Sequence, residues 1–210
     1  MKKTILFAGL LALAYTTFSQ DLTKQETINY INKKLNEVLE RKVGTDYLTL
    51  NKIELMNDGF IKHSDKIESS LKGCDSYSSA SYSGKRTEII FKPNHITKID
   101  TLNSNTSGLG TLVIRFLPNT VKWEITNYSK SVKPRYKRKF SHYDFWGNAQ
   151  YTEDYVGDDI DCNSTINRNI TTNAVSIYYL SADPANANRL MKAFKHLIAL
   201  YKAEDDPFGN

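Results

Sequence analysis

Between Tyr47 and Leu180 apolar residues recur at every second position, and turn-forming pairs interrupt the pattern again and again. The runs are "YLTLNKIELM", "RTEIIFK", "HITKIDTL", "GTLVIRFL", "TVKWEIT", "YKRKFSHYDFW", "AQYTEDYV" and "AVSIYYL". Asp58-Gly59, Pro93-Asn94, Leu109-Gly110, Pro118-Asn119 and Gly147-Asn148 punctuate them. A period of two sends successive side chains to opposite faces of a strand. Strands joined by tight turns have no room for crossover helices, so the sheet is antiparallel. The alternation slips phase near Asn51, which predicts a turn or bulge there. "SSLKGCDSYSSASYSGK" reads as loop or edge strand.

A helix is predicted at each end of this region. In "LTKQETINYINKKLNEVLERKVG", Thr23 and Glu26 make a capping box that satisfies two backbone donors. Ile28, Ile31, Leu35, Val38 and Leu39 share one face and Gly44 ends the run, for about five turns. Near the other end Asp183 suits an N-cap and Pro184 the first helical position. Ala187, Leu190, Met191, Phe194, Leu197, Ile198 and Tyr201 form an apolar stripe, with Lys192, Lys195 and Lys202 turned away. Residues 203–210 read as a frayed acidic tail. The expected fold is a single α+β domain over residues 20–210. It is a curled antiparallel sheet, a roll or partly open barrel, flanked by the two amphipathic helices.

Residues 1–19 read as a secretory signal peptide. Lys2 and Lys3 precede a short apolar run from Ile5 to Tyr15, and small residues follow. Cleavage fits best between Ser19 and Gln20, with a cut after Gln20 as the rival. No cysteine lies near the cut to take a lipid anchor, and no later stretch suits a membrane-spanning helix. Loss of the two lysines leaves 26 basic against 23 acidic residues, a charge of +3 rather than +5. The expected location is periplasmic or extracellular.

Cys74 and Cys162 both fall in the exported part, where one disulfide is the default. Closing so long a loop would stabilise the fold by about 4–5 kcal/mol on the chain-entropy model. Two unpaired thiols remain the alternative, because geometry and not spacing decides. Neither cysteine has a second ligand at zinc-site spacing.

The sharpest local composition is "VKPRYKRKFSHYDFWGN", residues 132–148. Lys133, Arg135, Lys137, Arg138 and Lys139 run into Phe140, Tyr143, Phe145 and Trp146. On a strand, Lys133, Arg135, Lys137 and Lys139 share one face, with Tyr136, Arg138 and Phe140 on the other. A turn centred on Gly147-Asn148 puts Lys137 opposite Asp158, Lys139 diagonal to Asp154 and Asp158, and His142 opposite Glu153. Such cross-strand pairs contribute about 0.2–1 kcal/mol each. Residues 133–145 and 149–160 are therefore expected to form one hairpin that compensates its own cations. Binding to DNA or heparin should then vanish near physiological salt. The competing reading makes Lys133, Arg135, Lys137 and Lys139 a surface for an anionic partner, an acidic polysaccharide or cell-surface component. Nucleic acid is disfavoured by the small net charge.

The acidic run Glu153, Asp154, Asp158, Asp159 and Asp161 lacks the EF-hand spacing. His63, His95, His142 and His196 are scattered, and no nucleophile or zincin motif accompanies them. A triad assembled in space stays open. No catalytic, cofactor or metal-binding residue is assigned. Trp123 and Trp146 read as packing residues rather than sugar platforms.

"TKQETINYINKKL", "FKPNHITKI", "GTLVIRF" and "ANANRLMKAFKHLIALYKAEDDPFGN", in that order, resemble a group of small secreted Bacteroidota proteins of unknown function. The resemblance implies export and no activity. The order of elements also looks like a pleckstrin-homology or related roll, which by itself names no function. The expected function is an exported, non-enzymatic binding or structural module. The alternative is a carrier of an apolar small molecule inside the sheet, with a hydrolase less favoured. Phe91, Ile114, Phe116, Trp123 and Ile177 are the side chains that would fill, or leave empty, that interior.

Overall fold

The computed structural model describes residues 22–75, 81–103, 108–168 and 173–205. The expected signal peptide lies outside the described residues. Among the described residues two α-helices, nine strands and a short 3-10 turn follow one another as α1 (Lys24–Asn36), β1 (Lys42–Val43), β2 (Asp46–Leu55), β3 (Ile61–Glu68), β4 (Ser81–Phe91), the turn Pro93–His95, β5 (Ile96–Asn103), β6 (Leu109–Phe116), β7 (Lys122–Tyr143), β8 (Ala149–Arg168), β9 (Ala174–Leu180) and α2 (Asn186–Asp205).

All strand pairs are antiparallel, and the chain is an α+β protein as its alternation predicts. The strands form two sheets, β1-β2-β3-β4-β7-β8 and β5-β6-β9. Two sheets stand where one curled sheet was expected, and they are not closed into a barrel. The separation arises because β4 passes over β5 and β6 to pair with β7, while β6 takes β9.

One core joins both sheets and both helices. Ile28, Ile31 and Leu35 of α1 and Leu190, Phe194 and Leu197 of α2 meet Ile53, Ile89, Phe91, Leu112, Ile114 and Ile177. Burying each such side chain is worth about 1.5–3 kcal/mol, so this cluster accounts for the fold's cohesion. The capping box of Thr23 and Glu26 is present as predicted. Asn32 pairs its side-chain amide with both backbone groups of Ile53, at 2.8 Å each, and so covers part of β2 beyond the reach of β1.

Four boundaries differ from the sequence reading. α1 stops at Asn36, short of five turns, and Val38 joins Leu48 and Leu109 in a second cluster. The stop follows from Glu40 N–H and Arg41 C=O bonding Leu48 at 2.8 and 2.9 Å, which commits the chain to the sheet. Ser81–Lys85 belong to β4 and not to a loop: Ser81 and Tyr82 pair with β7 alone, as an edge, while Gly84 and Lys85 lie inside the sheet between β3 and β7. "TVKWEIT" and "YKRKFSHY" are one strand, β7, of 22 residues. The phase slip near Asn51 is a bulge between Leu48 and Leu50, and the Asp58-Gly59 turn joins β2 to β3. α2 continues to Asp205, past Ala203 where the tail was expected to fray.

Candidate functional site

β7 pairs with β4 only as far as Ser131, opposite Ser81. Beyond that point its strand partner among the described residues is β8, and the two run on to Tyr143 and Ala149. Twelve residues at about 3.3 Å each make a two-stranded ribbon roughly 40 Å long. Nearly all of its side chains are exposed.

The ribbon's register comes from Asp144. Its carboxylate accepts the backbone N–H of Trp146 (2.9 Å) and Asn148 (2.8 Å) and the side-chain amides of Asn148 and Gln150 (3.1 Å each). Gly147 N–H closes the turn on Asp144 C=O at 3.0 Å, with Gly147 at φ 82°, where only glycine sits without strain. These bonds, led by the Asn148 backbone, hold the Asp144 carboxyl below the usual aspartate range. The turn is thus centred on Phe145-Trp146 and not on Gly147-Asn148. Lys137 stands opposite Asp154 instead of Asp158, and His142 opposite Gln150 instead of Glu153. Bulges near Ser141 and Val156 shift the ladder once each way.

The charges pair incompletely. Arg135 reaches Asp159 at 3.0 Å and Arg138 reaches Glu153 at 3.6 Å, both exposed. Lys133, Lys137 and Lys139 make no ion pair among the described residues. Exposed pairs of this kind contribute about 0–1 kcal/mol. Residues 132–161 hold five cations against six carboxylates, counting Asp144, so the ribbon as a whole is close to neutral.

Its two faces differ sharply. On one, Tyr136 lies opposite Tyr155 and Phe140 opposite Tyr151, with ring centroids 6.0 and 6.2 Å apart. Tyr143 extends this row, 5.0 Å from Phe140. The Arg138–Glu153 pair sits between the two aromatic steps. On the other face Lys133, Lys137 and Lys139 stand opposite Asp159, Asp154 and Thr152. At the tip Phe145 is 94% and Trp146 81% exposed, stacked edge to face. Trp123 does pack partly against the core, but Trp146 stays largely exposed beside Phe145, contrary to its reading as a packing residue.

At the ribbon's root the two cysteines meet. Cys162 lies on β8, and Cys74 lies in the segment after β3. They are free thiols 2.7 Å apart, and Cys162 Sγ donates to the Cys74 carbonyl at 3.6 Å. Burial, and then the hydrogen bond to Cys162, push the Cys74 thiol up to about 11. Lys130, opposite both Tyr82 and Cys162, is buried. The Tyr82 hydroxyl donates to Glu68, which also takes Thr49 and Lys66.

A polar cluster inside the fold gave no warning in the sequence. Asn51, Asp65 and Thr87 occupy facing positions on β2, β3 and β4, His63 stands two residues before Asp65 on β3, and all four are buried. Asn51 donates to Tyr178 C=O at 2.9 Å, tying the two sheets together, and its Oδ1 faces His63 Nε2 at 3.1 Å. Burial lowers His63 to about 4 and raises Asp65 to about 6. His142 is exposed on the ribbon, and His196 meets Leu22 C=O at 2.9 Å. Between α1 and α2 a shallow groove of about 290 Å³ is lined by Leu22, Thr27, Tyr30 and His196 among others. Phe91, Ile114, Phe116 and Ile177 are buried in one cluster with Trp123 against it.

Among the described residues no helix is long and apolar enough to cross a membrane. No family model matches the chain, and neither a curated protein nor a solved structure does so.

Proposed function

We propose that the chain is an exported, non-enzymatic binding module whose contact element is the β7–β8 ribbon. One observation carries this reading: a ribbon about 40 Å long leaves the sheet with five rings along one face and two more at its tip. An isolated two-stranded hairpin is marginal in water. Rings held outward by a turn as fully bonded as that of Asp144 are prepared for a surface that covers them. The near-neutral charge of the ribbon weakens the acidic-polysaccharide reading of Lys133, Arg135, Lys137 and Lys139. In an oxidising compartment Cys74 and Cys162 join as one disulfide, fastening the segment after β3 to the root of the ribbon. The chain belongs on this reading to the small secreted Bacteroidota group that its helices and strands resemble.

The test removes the ribbon and keeps the body. Val132 and Ile160 face each other across the pair, so an Asn-Gly turn can join them directly. The shortened chain should melt as the full chain does and should no longer sediment with envelopes of the source organism. Undiminished sedimentation would show that another surface makes the contact.

A further inference from the structure

The order of side chains along the ribbon narrows its partner. Outermost are Phe145 and Trp146, almost wholly exposed. Behind them come Tyr143, Tyr151 and Phe140. Lys139 follows, opposite an uncharged Thr152, and then Lys137, neither in an ion pair among the described residues. From Tyr143 to Lys139 is four residues, about 13 Å along a strand. The one carboxylate at the tip, Asp144, already accepts four hydrogen bonds, so no bare anion leads.

Resting on the ribbon as contact element, we propose that its tip seats on an anionic lipid surface. Phe145 and Trp146 enter the boundary between headgroups and chains. Tyr143, Tyr151 and Phe140 sit at headgroup level, where amphipathic rings are favoured. Lys139 and Lys137 meet the anionic headgroups above them. With distance from the tip the layering runs apolar, aromatic, and then Lys137, Arg138 and Lys139 against Glu153 and Asp154, a net charge of +1, which follows the depth profile of a bilayer surface. A second copy is the poorer fit. Two-fold pairing along β7 would oppose its own cations, and along β8 its own carboxylates.

Vesicle flotation at physiological ionic strength tests this, using phosphatidylcholine alone and equal parts of phosphatidylcholine and phosphatidylglycerol. The full chain should float with the mixed vesicles, and its tryptophan emission should shift to the blue. Trp146→Phe should still float without that shift, assigning the signal to the tip. Phe145→Ser with Trp146→Ser should lower partition at least about tenfold. Lys137→Ala with Lys139→Ala should lower it about fivefold per lysine on mixed vesicles and leave phosphatidylcholine unchanged. All these positions are exposed, and far-ultraviolet dichroism checks that each variant folds. Wild-type protein that floats with neither vesicle, or a serine pair that floats as well as wild type, overturns the lipid assignment. If vesicles fail while envelope sedimentation still needs the ribbon, the ribbon reading stands and the lipid assignment falls. Tight heparin binding at physiological salt, lost in Lys133→Ala/Arg135→Ala/Lys137→Ala, would replace lipid by an acidic polysaccharide. If envelope sedimentation is also indifferent to the ribbon, both fall.

Discussion

Asp144 decides the register of the longest strand pair among the described residues. Asp144 with Gly147 three residues on is the signature of the commonest turn, so the correct register was present in the sequence. Giving the weight to Gly147-Asn148 instead moves the cross-strand pairings by four positions from Tyr136 to Phe140 and by three outside the two bulges. Replacing Asp144 by alanine should speed amide exchange at Trp146 and Asn148 several-fold and leave the core strands as they are. Equal exchange in the two proteins would mean that Gly147 alone holds the turn. The buried pair His63 and Asp65 calls for the opposite kind of test, because its two titrations cancel. His63, lowered from 6.5 to about 4, contributes stability that is present above pH 6.5 and lost as pH falls through 4. Asp65, raised from 3.8 to about 6, contributes stability that is present below pH 3.8 and lost as pH rises through 6. Each amounts to about 3 kcal/mol, so stability should be nearly flat between pH 4 and 6. Asp65→Asn removes one arm, and denaturation curves should then show stability rising with pH across that window. A flat profile in the variant would contradict the depressed His63. Nothing in the local sequence marks this cluster, because its members come together only when β2, β3 and β4 align.

At the scale of elements, what has a buried face was legible and what lacks one was not. β6 and β9 alternate cleanly because one side meets the core. Residues 157–167 of β8 are strand without that alternation, since most of their side chains meet water, and in β7 the inward place of Lys130 interrupts the apolar pattern. The merging of two expected strands into β7, and the placing of Cys162 on β8, follow from this blindness. Both helices were readable from capping and period, except that α1 ends where Glu40 and Arg41 begin to pair with Leu48. The disulfide prediction belongs here, because it joins two elements. Mass spectrometry of protein exported by its source, under non-reducing conditions, should find Cys74 linked to Cys162. Cys74→Ser with Cys162→Ser should then cost roughly 2–4 kcal/mol, measured by denaturant unfolding. Two free thiols in the exported protein would contradict the link. At neutral pH the raised Cys74 carries little thiolate, so its oxidation should be slow without a catalyst.

The molecule as a whole divides its labour between a packed body and a bare arm. The α+β class was readable, but the division into two sheets was not. It depends on β4 choosing β7 and β6 choosing β9 across long stretches of chain, which local pattern does not encode. The arm's basic and aromatic composition is plain in the sequence, but only the paired strands show its rings gathered on one face and at the tip. Hydroxyl-radical footprinting on envelope-bound and free protein measures this directly, because aromatic side chains are readily oxidised when exposed. The account predicts protection of Tyr136, Phe140, Tyr143, Phe145, Trp146, Tyr151 and Tyr155 in the bound protein, with Tyr30 in the α1–α2 groove unchanged. Protection of Tyr30 with the ribbon's rings oxidised as in free protein would contradict it.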